Sequence, residues 1–251
     1  SAIAVYDGYG AEHITVSFCA FTGQTTTTSK WFTAEAGSYV TNTYLNYNQI
    51  TKTSSHLDLG GNISNILYDH NTFNDTSNTG GYIRLAEPVT ATGTFSYITV
   101  TNNTFSNGSA SNQYAVSVNS TVEQTDVQDG DWKTHLHIQD NKLLQSASTT
   151  PLIGFTSATY FTLTPTYYID ARYNYWNSAS GPSSSKVSSK VDYTPWYAET
   201  FTFGGYPDIW GTSDSIQEVI DNTNVSNNDT IYVVSSGSTI AESVKIKKNL
   251  H

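Results

Sequence analysis

Tyr97-Ile98-Thr99-Val100-Thr101-Asn102-Asn103-Thr104-Phe105 is the stretch whose reading decides the fold. Ile98 and Val100 alternate with Thr99 and Thr101, the period-two pattern of a half-buried strand. Asn102-Asn103 then reads as a sharp bend, and Thr104-Phe105 as the start of another strand. The weight of the motif comes from its recurrence. Aligned on Asn103, six copies emerge. Ile14 and Val16 precede Cys19 and Phe21; Tyr44 to Tyr47 precede Asn48 and Ile50; Ile66 and Tyr68 precede Asn71 and Phe73. Further on, Leu136 and Ile138 precede Asn141 and Leu143, and Ile169 and Ala171 precede Asn174 and Trp176. Each copy follows a shorter apolar run: Ala2 to Val5, Lys30 to Thr33, His56 to Leu59, Tyr82 to Leu85, Tyr114 to Val118 and Pro151 to Phe155. The unit is strand, variable loop, strand, asparagine turn, strand. Constant strands with variable loops are what stacked repeats predict, because each repeat packs only on its neighbours.

Stacking the repeats predicts an apolar column of Ile14, Ile66, Ile98, Leu136 and Ile169 at about 4.8 Å per step. It also predicts a column of asparagine side chains bonded to one another. Cys19 replaces asparagine in the first copy, so the column should end there, with Cys19 as a small buried apolar residue. Composition agrees with strands and turns. Among 251 residues only 13% are charged, while 18 are Tyr and 5 are Trp, too aromatic for disorder. A net charge of −10 argues against nucleic acid and anionic membrane surfaces as partners. One cysteine excludes an internal disulfide. No run approaches the roughly 20 apolar residues of a membrane span. Methionine is absent even from position 1, which marks the chain as a processed product or a segment of something longer.

Taken together, the repeats resemble the right-handed parallel β-helix (pectin-lyase-like) family of extracellular and cell-surface proteins, in which three faces of parallel sheet surround a narrow apolar core. Tyr173-Asn174-Tyr175-Trp176-Asn177-Ser178-Ala179-Ser180-Gly181-Pro182 is similar to the family's NYWG…SGP closing segment, with Asn177 where glycine is usual. Val191 to Trp196, VDYTPW, is similar to the stretch that follows it. The resemblance implies an all-β, right-handed, three-faced parallel solenoid of about six coils over residues 1–182. Residues 183–214, rich in Ser with Gly and Pro, read as a cap and linker. Ser215-Ile216-Gln217-Glu218 is a capping box with Ile216, Val219 and Ile220 on one side of a short helix. After it, Ile231, Val233, Val244 and Ile246 lie in strand-like runs. This 215–251 segment resembles the N-terminal cap and first coil of the same family.

In a natural module 215–251 would come first, followed by 1–210. Three arrangements fit that order. The tail of one subunit completes the head of the next; the chain is one period of a tandem array; or the tail folds back on its own head. The first expectation is a structural filament or surface-layer subunit. Ile216, Val219, Ile220, Ile231, Val233, Val244 and Ile246 would be received by Ile3, Val5, Ile14 and Val16 of a neighbouring copy. Contacts that do not close into a ring give open filaments. No cofactor is required.

The rival function is a polysaccharide lyase or hydrolase, or an adhesin that binds cell-surface glycans in a groove. The family contains such enzymes, which need clustered carboxylates; none of its pectinase-type motifs is found here. Stacking puts Asn46, Asp69, Thr101, Gln139 and Arg172 in one outward row and His137 and Asp170 in the next, read as a solvated polar face with an Asp170–Arg172 pair. His135 and His137 form the one paired histidine spacing. Glu123, Asp126, Asp129 and Asp131 surround Gly130 in a long loop, a Ca²⁺ candidate by ligand type and otherwise a solvated acidic loop. Asn62, Asn74, Asn102, Asn107, Asn119, Asn224 and Asn228 stand in glycosylation sequons.

Overall fold

The computed structural model describes residues 3–6, 8–23, 30–35, 37–58, 62–74, 81–86, 94–106, 114–118, 135–145, 151–155, 169–188, 191–198 and 209–210. Their regular structure is nearly all strand, arranged in parallel sheets. The repeats feed three sheets in the same order, with two short strands from the first repeat in the middle sheet and only an isolated bridge at Tyr175 from the sixth repeat in the trailing one. The leading sheet holds Ile3–Val5, Lys30–Ala34, Ser54–Asp58, Ile83–Ala86, Val116–Val118 and Ile153–Phe155. The middle sheet begins with Gly10–Glu12 and Thr15–Ser17 side by side on Tyr39–Asn46. It continues through Asn62–Asp69, Thr94–Thr101, Leu136–Gln139, Ile169–Asp170 and Val191–Asp192. The trailing sheet holds Ala20–Thr22, Gln49–Thr51, Thr72–Asn74, Thr104–Ser106 and Lys142–Leu143. None of the three closes on itself.

Register follows the repeat. Ile98 lies opposite Ile66 and Leu136, and Val100 opposite Tyr68 and Ile138. Phe73 stands between Ile50 and Phe105, and its ring stacks on Phe105 at 4.8 Å and 5°. A parallel strand must match its neighbour's apolar residues on the buried side, so a slip of one residue would turn all of them outward. One column departs from expectation. Opposite Ile66 in the second repeat lies Thr43, fully buried, with its hydroxyl donating to the Thr41 carbonyl at 3.3 Å. That bond lets a hydroxyl occupy an otherwise aliphatic column.

The asparagine column forms, and its wiring explains the turn. The backbone N–H of each member donates to the side-chain Oδ1 of the next: Cys19 to Asn48 at 3.0 Å, Asn48 to Asn71 at 3.0 Å, Asn71 to Asn103 at 2.8 Å. Asn103 to Asn141 and Asn141 to Asn174 follow, both at 2.9 Å. Steps of 29, 23, 32, 38 and 33 residues thus converge on one geometry. From Asn48 to Asn141 each Nδ2 donates as well, to the next Oδ1 and to a carbonyl of the previous repeat, as Asn103 does to Asn141 at 3.0 Å and Tyr68 at 2.9 Å. Buried backbone groups at a bend need partners, and one amide per repeat supplies them.

The residue that turns the chain is the one before this column. Phe18, Tyr47, His70, Asn102, Asp140 and Tyr173 all have φ between 53° and 58°. That left-handed conformation costs a non-glycine residue about 1 to 2 kcal/mol, offset here by the buried amide bonds that follow it. A second left-handed column, His13, Asn42, Asn65 and Tyr97, interrupts the middle-sheet strands and re-aims their second halves. Cys19, expected to be buried, is exposed. It belongs to the outermost row, where no described strand covers it on the far side.

Residues 173–198 finish the described stack. Asn177 stands in the left-handed region at φ 57°, which asparagine enters more readily than most residues other than glycine. Gly181 has φ 76°, and a Cβ there would lie 2.4 Å from the Trp196 ring. Trp196 Nε1 donates to the Ala179 carbonyl at 3.2 Å. The NYWNSASGP and VDYTPW stretches are therefore one packed unit. Its Trp176, Val187, Val191 and Trp196 join the apolar core that runs through all repeats.

Candidate functional site

The two ends of the stack differ. Among the described residues, all three sheets stop at the first-repeat end on a strand paired on one side only. Ile3–Val5 pairs with Lys30–Ala34, Thr15–Ser17 with Tyr39–Asn46, and Ala20–Thr22 with Gln49–Thr51. Beneath them the core thins. Val5 and Val16 retain 8% and 7% exposure, against 0% for their partners Ala34 and Leu45 in the next row. Ile3, Ala11, Ile14 and Phe21 are only partly buried. The four expected receiving residues, Ile3, Val5, Ile14 and Val16, are thus together at an apolar edge. At the other end the trailing face finishes in an antiparallel pair: Tyr175 bridges in parallel to Tyr197, and Trp196–Tyr197 pairs antiparallel with Ile209–Trp210. The leading sheet's Ile153 bridges in parallel to Val187, and the middle sheet ends on Val191–Asp192, paired on one side only among the described residues.

Exposed rings crowd the same end. Among the described residues the exposed large hydrophobic side chains are Tyr6, Tyr9, Phe18, Tyr39, Tyr44, Tyr47 and Tyr97. All but Tyr97 belong to the first two repeats. Phe18, 79% exposed, stacks on Tyr47 at 5.1 Å and 7°, and Tyr47 on His70 at 4.7 Å and 21°. The stack exists because three successive turn residues share one left-handed conformation and project their side chains from one column. Sequence reading missed it: the column carries a different residue type in nearly every repeat.

The outward rows are in place as well. Asp69 lies opposite Asn46 and Thr101, Thr101 opposite Gln139, and His137 opposite Asp170. The Asp170–Arg172 pair is real, with Nε to Oδ1 at 3.0 Å. The expectation of a solvated face fails at Asp170, which is 2% exposed. Arg172, Gln139 at 2.7 Å and His137 at 3.4 Å cover it. Burial alone pushes its carboxyl up. The hydrogen bonds from His137, Arg172 and Gln139 and the Arg172 charge outweigh that and hold the group well below the usual carboxylate range. Next to it, the Tyr197 hydroxyl donates to the Asp140 carboxylate.

His135 does not join His137. It is buried against the edge of the Tyr97 ring at 4.9 Å. It falls in the column of the second bend, where strand alternation is broken, so residues two apart no longer share a side. Among the described residues no three His, Cys, Asp or Glu side chains are grouped to hold a metal ion. The calcium candidates Glu123, Asp126, Asp129 and Asp131 lie outside the described residues.

Of the sequon asparagines, Asn62 is exposed at a strand start, and Asn74 is half-buried at a strand end. Asn102 is half-buried and its Nδ2 donates to Asp69 Oδ1 at 3.0 Å. Asn107, Asn119, Asn224 and Asn228 lie outside the described residues, as do the tail residues Ile216, Val219, Ile220, Ile231, Val233, Val244 and Ile246 with the expected short helix. No helix among the described residues is long and apolar enough to cross a membrane. No protein-family model, curated protein or solved structure matches the chain.

Proposed function

We propose that this protein is a structural subunit of an extracellular or cell-surface filament or layer, and that its three parallel sheets are the faces of a right-handed β-helix that adds to copies of itself head to tail. The observation that carries this reading is the asymmetry of the ends. Among the described residues, one end presents three parallel edges, each paired on one side only, over a thinning apolar core edged by exposed rings; the other carries an antiparallel pair on its trailing face. Bare edges are templates for further pairing, and a junction between unlike ends gives an open polymer. Acidic composition and sequons support an exported setting.

The test compares the full chain with a version ending at residue 214, by electron microscopy. Filaments from the full chain and none from the shorter one are expected. Compact monomers from the full chain would sink the filament reading and favour a tail that covers its own head.

A glycan-binding adhesin is the second reading, favoured by exposed Tyr39 and Tyr44 on one strand. Tyrosine faces stack on sugar rings, and Asn42 stands between them. Binding of the monomeric shorter version to immobilised glycans, lost on replacing those two tyrosines by alanine, would favour it. Hydrolase or lyase action draws less support. Asp170 commits its oxygens to His137, Gln139 and Arg172, which leaves it poorly placed to move a substrate proton.

A further inference from the structure

Resting on the head-to-tail reading, we propose that residues 243–251 of a second copy dock on the first-repeat end as one more parallel row, with Asn249 in the asparagine column beside Cys19. The argument begins with spacing. Val244, Ile246 and Asn249 repeat the intervals of Ile98, Val100 and Asn103, two core residues followed by the column asparagine. Set beside the first repeat in that register, Val244 falls on Ile14 and Ile246 on Val16. Those are the residues whose burial is incomplete. Asn249 then falls on Cys19, which is exposed.

The residues between carry charge. Lys245, Lys247 and Lys248 concentrate three of the chain's 11 basic side chains in four positions of an otherwise acidic protein. Lys248 shares the turn column with Phe18. One face of that ring is stacked on Tyr47, and the other points along the stack toward the docking row. An ammonium over that face makes a cation–π contact. The column already holds side chains as varied as Phe, Tyr, His, Asn and Asp in one conformation.

Cys19 also explains why the junction differs from an internal row. Within the stack each asparagine donates from its backbone N–H and its Nδ2 to the Oδ1 of the next. Asn249 would meet a sulfur at that place, a weak acceptor. Two good bonds are lost, and so is the third that an amide at position 19 would send back to the Ile246 carbonyl, as Asn48 does to Val16 at 2.8 Å. The subunit boundary thus coincides with the one missing amide.

Two variants test the register. Adjacent parallel strands place facing Cα atoms about 4.8 Å apart, within disulfide reach. Under mild oxidation Asn249→Cys should therefore join Cys19 of another copy and give a ladder of covalent multimers on a non-reducing gel. Lys245→Cys should stay reduced. No cross-link from position 249, equal cross-linking from 245, or a cross-linked monomer overturns the proposal. Cys19→Asn restores the missing acceptor and should lower the critical concentration for assembly by about tenfold or more, a gain abolished by adding Asn249→Ala. An unchanged or higher critical concentration also overturns it. Filaments of the unaltered chain are scored in parallel: their presence without the cross-link rejects this register alone, and their absence rejects head-to-tail assembly itself.

Discussion

Asn103 and Asn102 are neighbours with opposite duties. Asn103 is fully buried and serves both flanking repeats: it donates to Asn141, Tyr68 and Thr101 and accepts from the Asn71 backbone N–H. Asn102 supplies the left-handed turn and a bond to Asp69. Replacing Asn103 by alanine should destabilise the protein by about 3 kcal/mol or more, since several buried partners lose their bonds together. Asn102→Ala should cost about 1 kcal/mol. Urea midpoints of the two variants check the order, and equal losses would contradict it. The buried carboxylate of Asp170 gives a second prediction. Its folded-state carboxyl titrates below the unfolded one, so the unfolded chain takes up the proton first. The stabilisation is complete above the ordinary carboxylate range, about pH 4, and is lost as the pH falls through that range toward the folded-state value. Thermal midpoints of the unaltered protein should fall more steeply in acid than those of Asp170→Asn. Parallel curves would show that the group is not held as described.

Strands and their order were legible because the repeat is periodic in the residues that face the core. Ile98 and Val100 predict Ile66, Tyr68, Leu136 and Ile138, and all stand in register. What was not legible sits where alternation fails. The two left-handed columns draw on Phe, Tyr, His, Asn and Asp, so no single residue type betrays them; the first lies one position before the amide column, and the second interrupts the middle-sheet strands. His135 falls in the column of the second bend, and so turns inward although it lies two residues from His137. Thr43 was missed because its hydroxyl finds a partner within its own strand. Asp170 was read as solvated because a sequence shows the charges but not the cover that Arg172 and Gln139 provide. The closing unit is an element-scale test. Gly181→Ala combines φ 76° with a Cβ 2.4 Å from the Trp196 ring. It should cost about 2 kcal/mol or more by strain and overpacking, read as a lower melting temperature with quenching changes in Trp196 fluorescence. A variant as stable as the original would mean that Trp196 does not pack on Gly181.

At the scale of the whole molecule, the proposed assembly extends one geometric rule from the residue upward. A repeat with parallel strands and one amide at the bend can be extended by any chain with the same pattern, and the first-repeat end is where all three described sheets are left uncovered. On the proposed reading, function is a property of the direction in which strands stack. Inside the protein, parallel neighbours lie about 4.8 Å apart along that direction. If copies add end to end, the same spacing runs unbroken across every junction and along the filament axis. Fibre diffraction from oriented assemblies of the full chain measures this directly. The account predicts a strong reflection near 4.8 Å on the meridian. Assemblies whose 4.8 Å reflection lies on the equator, with strands stacking across the fibre instead of along it, would contradict it.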